Sequence, residues 1–197
     1  AKAIGGVTRA PVAAIPTTLS GAELTPFHRL PAGVEGARMV RPVLVIADPL
    51  LMASQPGPEL WASAMNALAH GMEALYTPLA NPVTSMAALR AAALLATEDR
   101  DSLALGAVLA GYASGSTGIA VHHAICQTIV RTAGTPHAET NAVMLPHSAR
   151  LMQERAPEAV AAFREALPVD LSELAARCGH TRLSDLGGGE QQLTTVA

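Results

Sequence analysis

Three groups of polar side chains sit on segments that are otherwise apolar. In the segment 61–76, Asn66, His70 and Glu73 stand at i, i+4 and i+7, which puts them on one face of a helix. In 121–130, His123 and Gln127 stand at i, i+4, with His122 adjacent. The third group, Pro136-His137-Ala138-Glu139, reads as a helix N-terminus. There the dipole and the free N–H groups favour anions, and His147 follows Pro146 in the same way. The ordinary reading of the first group is a solvated face. It lies opposite an apolar stripe made of Trp61, Met65, Leu68, Met72 and Tyr76. That reading is weaker for the second group, because polar groups on an uncharged helix must find partners or pay a desolvation cost.

Imidazoles at helical spacing on separate helices can converge in a cleft, and three uses are chemically sensible. They could bind a divalent metal. They could act as general acids or bases near neutral pH. They could hold a carboxylate as imidazolium donors. A metal wants a hard fourth ligand, and Asn66 offers only a neutral amide oxygen. Acid–base work or carboxylate binding is therefore favoured, and no metal is expected.

These residues need elements to hold them. The chain has 197 residues, enough for one domain with a real core. Half of it is apolar, mean hydropathy is +0.29 and only 15% is charged, which excludes a disordered chain. About forty residues are Ala while aromatics reach 3%, so the composition points to closely packed, smooth-faced helices. A net charge of −3 gives no basic field for nucleic acid or an anionic membrane. Cys126 and Cys178 make no Cys-x-x-Cys pair, so neither a disulfide framework nor a zinc ribbon is expected, and a reducing cytoplasm fits. No secretory signal is read at the start. Leu103–Val130 lacks Asp, Glu, Lys and Arg and is long enough to span a membrane. Its four glycines and polar side chains favour a buried helix pair instead.

Two segments read as strands, Pro11–Thr18 and Pro42–Pro49. The intervening Ser20–Arg41 is too irregular for a core element. Helices are expected from about Pro58 to Tyr76, over Val83–Ala96, over Leu103–Val130 with a break near Gly111–Gly118, from Pro136 to about Leu145, over Pro157–Leu167 and over Asp170–Arg177. Pro146 is expected to end or kink the helix that opens at Pro136. Asp170 with Glu173 forms a capping-box pattern and Gly179 a helix stop. The tail 186–197 reads as frayed. The expected fold is mainly α, a helical bundle with a short N-terminal β remnant. Residues 1–50 form the remnant and its loops, and residues 51–197 form one helical unit.

Several of these segments together resemble one family. They are Ser63–Tyr76 (SAMNALAHGMEALY), Asn81–Ser85 (NPVTS), Val121–His147 (VHHAICQTIVRTAGTPHAETNAVMLPH) and Lys2–Thr25 (KAIGGVTRAPVAAIPTTLSGAELT). They are similar to maleylacetate reductases, within the superfamily of iron-containing alcohol dehydrogenases and dehydroquinate synthase. The resemblance implies a helical domain of that type. The metal-binding positions of the iron enzymes fall here on Asn66, His70, His123 and His137. Asn at the first position also occurs in maleylacetate reductases, which work without the iron. The resemblance further implies that the His cluster and its neighbours bind a dicarboxylate and supply a proton, while NADH or NADPH supplies hydride. Gln127 stands where the family usually has His, and an amide cannot titrate.

The family's Gly-Gly-Gly-Ser phosphate loop is missing from this chain; Gly187–Gly189 follows no strand. Thr17, Thr18 and Ser20 resemble the strip that touches the nucleotide. The chain also reads as shorter than the family around Phe27–Arg41, Ala93–Ser102 and Glu165–Asp170, and at its C-terminus. The leading expectation is a truncated, repurposed enzyme with no cofactor of its own. It would carry out acid–base, cyclisation or isomerisation chemistry on a small specialised metabolite through His70, His123 and His137, with His122, Asn66, Gln127 and Glu73. The alternative is an NAD(P)H-dependent maleylacetate reductase whose cofactor domain lies on another chain or was removed. The third is a non-catalytic remnant that binds a partner or dimerises. A homodimer is expected under all three, because Pro11–Thr18 needs its edges covered.

Overall fold

The computed structural model describes residues 1–27, 38–187 and 189. The element order is α1 (Lys2–Thr8), β1 (Ala13–Ala14), a 3-10 turn (Ala22–Leu24), β2 (Leu44–Val45), α2 (Pro49–Met52), α3 (Gly57–Ala74), α4 (Pro82–Leu95), α5 (Arg100–Thr117), α6 (Val121–Ala133), α7 (His137–Arg155), α8 (Pro157–Ala166), α9 (Leu171–Ala176) and a second 3-10 turn (Leu183–Leu186). The fold is mainly α, as the composition implies. β1 and β2 pair in parallel over two residues each, with Ala13 opposite Leu44 and Ala14 opposite Val45. The expected strands are thus shorter than their apolar runs. Each is an edge for most of its length, and Ile15, Val43, Leu44 and Ile46 stand exposed there.

α3 is the axis of the bundle. Every residue from Ala62 to Ala74 is buried, with α4, α5 and α7 packed around it. Small side chains make this possible: Ala64, Ala67 and Ala69 interleave with Met65, Leu68 and Met72, and Phe163, Leu145 and Leu174 close the far sides. This overturns the solvated-face reading of Asn66, His70 and Glu73. Neighbours surround α3, so its polar face looks onto other helices and not onto water.

Local signals start the helices where the sequence places them. Asn81 accepts from the backbone N–H groups of Val83 and Thr84 while Thr84 returns the contact, a capping box at α4. Asp99 caps α5. Asp170 caps α9 through Ser172 N–H, and not in the reciprocal pattern with Glu173. Two expectations need correction. Lys2–Thr8 is a helix that the reading of residues 1–50 omitted. α7 does not stop at Pro146; it runs on to Arg155. Proline removes one N–H, but Leu145, Ala149 and Met152 anchor the core face on both sides of it and outweigh the lost hydrogen bond. Most of the tail expected to fray, and the middle of Ser20–Arg41, lie outside the described residues.

Among the described residues no single helix is long and apolar enough to cross a membrane. The uncharged stretch breaks after Thr117, and α5 and α6 meet at 97°. That bend turns the α6 histidines toward α3. The loop before β2 reaches the same place by close backbone contact. A Cβ on Gly111 would lie 2.7 Å from the Gly21 carbonyl oxygen, and one on Gly115 would collide with the Leu24 carbonyl oxygen. Gly21 itself has φ +66°, the left-handed region open to glycine.

Candidate active site

A cavity of about 310 Å³ lies between this loop and helices α3, α6 and α7. Its walls include Asn66 and His70 from α3, His123 and Gln127 from α6, His137 from the start of α7, and Ser20 and Thr25 from the loop. The structure thus brings five of the seven residues expected to do chemistry to the cavity wall, with Ser20 of the expected nucleotide strip; Glu73 stands behind His123, and His122 is the exception. It is fully buried behind the cavity, with Nδ1 2.9 Å from Ser148 Oγ and Nε2 3.0 Å from Asn141 Oδ1. Both ring nitrogens are satisfied, so its place is structural. His147 is exposed on the outer face of α7 and does not reach the cavity.

Each imidazole at the cavity is gripped from behind. Ser114 Oγ on α5 lies 2.9 Å from His70 Nδ1. Glu73, with no exposed surface, places Oε2 2.7 Å from His123 Nδ1 and takes a second hydrogen bond from the His123 backbone N–H. A carboxylate only accepts, so Nδ1 of His123 carries the proton and Nε2 holds a lone pair. Asn141 Oδ1 accepts from His122 Nε2–H, and its Nδ2 donates to the His137 carbonyl oxygen. The rings of His70 and His123 stack with centroids 4.0 Å apart and planes 15° from parallel.

Burial sets the charge state. It pushes His122 and His123 down to about 3, aided by neighbouring imidazoles, and holds His70 well below the ordinary imidazole range. At neutral pH these three rings are uncharged. Carboxylate binding by imidazolium, one of the three uses open at the sequence level, is therefore not what they offer. Cys126 sits beside His122, and burial raises its thiol to about 12, so it stays protonated and inert.

The residues do not fit the iron that the superfamily implies. Nearly parallel rings send their in-plane lone pairs along planes that do not meet near the rings, so one ion cannot lie in both planes at a bonding distance of about 2 Å. Asn66 adds only a neutral oxygen. Among the described residues no three His, Cys, Asp or Glu side chains are placed to hold a metal.

The nucleotide strip fits only in part. Ser20 reaches the cavity, and Thr18 Oγ1 lies 3.1 Å from Ser20 Oγ. Thr17 is exposed. The Leu19 N–H is taken by Ser63 Oγ and the Ser20 N–H by Thr18 Oγ1. The strip thus offers hydroxyls and not a run of free N–H groups for a pyrophosphate.

Sequence reasoning missed the supports. Asn141 stands at i+4 from His137, a spacing that could have flagged it. Ser114 and Ser148 carry no local signal. Lys2 carries no local signal either. Its ammonium donates to the carbonyl oxygens of Ala22 (2.8 Å), Thr25 (3.1 Å) and Phe27, and Ala22, Thr25 and Phe27 all line the cavity.

Residues 61–195 match the C-terminal model of the Fe-containing alcohol dehydrogenase family. The chain is similar to maleylacetate reductase 1 of Rhodococcus opacus, at 37% identity over 95% of this chain and 58% of that protein. It superposes on the crystal structure of maleylacetate reductase from Agrobacterium tumefaciens with a TM-score of 0.89 and 33% identity, covering 99% of this chain and 62% of that one. A sulfoacetaldehyde reductase from Bifidobacterium kashiwanohense, solved in complex with NAD+, gives a TM-score of 0.74 at 26% identity over 94% of this chain and 57% of that one. The chain spans about three fifths of the length of the curated relatives it matches.

Proposed function

We propose, from the premise that this chain belongs to the iron-containing alcohol dehydrogenase family, that its cavity is the substrate-binding and proton-handling part of a maleylacetate reductase-type oxidoreductase. The observation that carries this is the convergence of Asn66, His70, His123 and His137 on one cavity, with a buried carboxylate behind His123. NADH or NADPH supplies hydride in such chemistry. The pyrophosphate of that cofactor has no cradle of free N–H groups on Thr17, Thr18 and Ser20.

The residues of this chain bind, orient and move the proton. Glu73 fixes the tautomer of His123, so Nε2 meets the substrate as a hydrogen-bond acceptor and base. On taking a proton, the ring becomes an imidazolium already paired with Glu73. The same pair returns the proton as an acid. The Ser20 hydroxyl, whose bonds within the described chain are all accepted ones, and the Gln127 amide supply neutral donors for a carboxylate. The apolar lining residues Ala22, Phe27 and Ile119 limit the water that reaches the substrate.

The test is to join the portion of the Rhodococcus opacus relative that this chain does not span ahead of Ala1 and to follow NADH absorbance with 2-maleylacetate. Oxidation that disappears in His123→Phe supports the reading. A folded chimera that binds NADH and never oxidises it contradicts the reading. One observation favours a second reading. The Glu73–His123 pair needs no hydride donor to shift a proton, so isomerisation without nicotinamide, the leading expectation from sequence, would use the same cavity.

A further inference from the structure

A second cavity, of about 190 Å³, lies between α7, the end of α8 and the start of α9. Pro146 and Arg150 line it from α7, where their i, i+4 spacing puts them on one face of the helix. Pro146 is nine residues from His137, about 14 Å along the α7 axis. Among the described residues the two cavities share no lining side chain.

The walls are of two kinds. Leu167, Val169 and Leu171 make an apolar side. Leu171 is buried, and Leu167 and Val169 pack against the main core. The other side carries charge. Arg150 and Arg164 reach the cavity from two different helices, and both residues are exposed. Among the described residues neither guanidinium makes a hydrogen bond or an ion pair. Arg177 shows the contrast: it pairs with Glu98 and Glu173 and lies over the Trp61 ring.

Two like charges that converge on one cavity repel, and their N–H donors need acceptors. The one carboxylate on the wall does not supply them all. Asp170 Oδ1 accepts from the Ser172 N–H as the cap of α9. That bond, with Arg164 as a lesser influence, holds the Asp170 carboxyl below its ordinary range, so it is ionised at neutral pH. Two positive charges against one negative leave a single positive charge in the cavity. A metal cation is repelled there. A phosphate brings more than one negative charge and gains nothing from the apolar side. A carboxylate on a short alkyl chain matches both sides, and its two oxygens fit the planar fork of an arginine.

We propose that this cavity is a second binding site, for a short-chain monocarboxylate. Arg150 and Arg164 hold the carboxylate, and Leu167, Val169 and Leu171 hold the alkyl chain. No bond is made or broken in this site. Because both guanidiniums are exposed, salt screens the binding.

The experiment uses the 197-residue chain with butyrate, butyramide and inorganic phosphate as probes. Backbone 1H–15N spectra read where each probe binds and how tightly. Butyrate should shift the Val169, Asp170 and Leu171 amides saturably, in the millimolar range, and more weakly as sodium chloride is added. Butyramide keeps the shape and lacks the charge, so it should bind at least about tenfold more weakly. Phosphate should also bind more weakly than butyrate. Arg150→Gln and Arg164→Gln change exposed side chains, and circular dichroism checks that both variants fold. Each should weaken butyrate binding at least about fivefold. Shifts confined to Ser20–Thr25 at the first cavity, or no saturable shift at all, would overturn the proposal. So would butyramide or phosphate binding as tightly as butyrate, or full affinity in either variant.

Discussion

Glu73 Oε2 lies 2.7 Å from Nδ1 of His123 while Oε1 lies 3.1 Å from the backbone nitrogen of the same residue, with both side chains buried. One carboxylate thus fixes the position of a helix start and the tautomer of its second imidazole. The two acceptor contacts make Glu73→Gln informative. A backbone N–H cannot become an acceptor, so the amide oxygen must stay with it and the amide NH2 must face the ring. Nδ1 then becomes the acceptor and the proton moves to Nε2. The Nε2 resonance should change from a lone-pair to an N–H position. Turnover in the chimera should fall about 10²–10⁴-fold, the range for losing a positioned acid–base group. An unchanged tautomer would contradict the assigned role of Glu73.

Three buried imidazoles give the fold a defined pH response. His70, His122 and His123 all titrate below the unfolded value of about 6.5, the latter two at about 3. Between those limits the unfolded chain binds protons that the folded chain refuses, so stability falls as pH falls and is intact above about 6.5. Each such proton contributes a slope of about 1.4 kcal/mol per pH unit. Glu23, whose carboxyl is raised by burial, acts in the opposite direction over its own range. Urea midpoints at several pH values between 7.5 and 4 check the slope. His122→Gln should make it shallower by about one proton, and a flat profile would contradict the buried neutral state.

Two glycine-to-alanine changes should move stability in opposite directions. At Gly111 the new methyl would meet Gly21 backbone atoms at 2.7–2.9 Å, so the loop must shift off α5 at a cost of about 1–3 kcal/mol. At Gly71 the nearest atom is the Ala88 carbonyl oxygen at 3.5 Å, an ordinary contact. There alanine should stabilise the helix by about 0.5–1 kcal/mol. Thermal unfolding of both variants checks the pair.

Lys2→Met should loosen one wall of the cavity without touching its floor. Three backbone carbonyl oxygens from Ala22 to Phe27 lose a charged donor, which should cost about 1–2 kcal/mol. Amide exchange at Thr25, whose N–H is bonded to the Ala22 carbonyl oxygen, should accelerate. In the chimera KM should rise more than kcat falls.

The helices and most of the site could be read from the sequence because spacing encodes them. Asn66 and His70, and His123 and Gln127, each lie four residues apart, and helical geometry alone places each pair on a face. The direction of those faces was not encoded. Whether Asn66, His70 and Glu73 meet water or other helices depends on what surrounds α3, and Ala-rich neighbours give little local sign of enclosure. His122 was misassigned for a related reason. It adjoins His123 in sequence, but a step of about 100° around the helix turns it to Ser148 and Asn141. Pro146 misled because its local cost is small beside the core contacts that hold α7 on either side. Ser114 and Lys2 act across 44 and 20 or more residues of separation, which no local pattern records.

The mass of the product made from 2-maleylacetate by the chimera, with NADH present and with NADH omitted, tests the central claim most directly. The proposed reductase chemistry predicts a product heavier than the substrate by two hydrogen atoms, formed only with NADH and lost in His123→Phe. An isomer of unchanged mass, formed equally well without NADH, would contradict it and favour proton-shift chemistry at the same cavity.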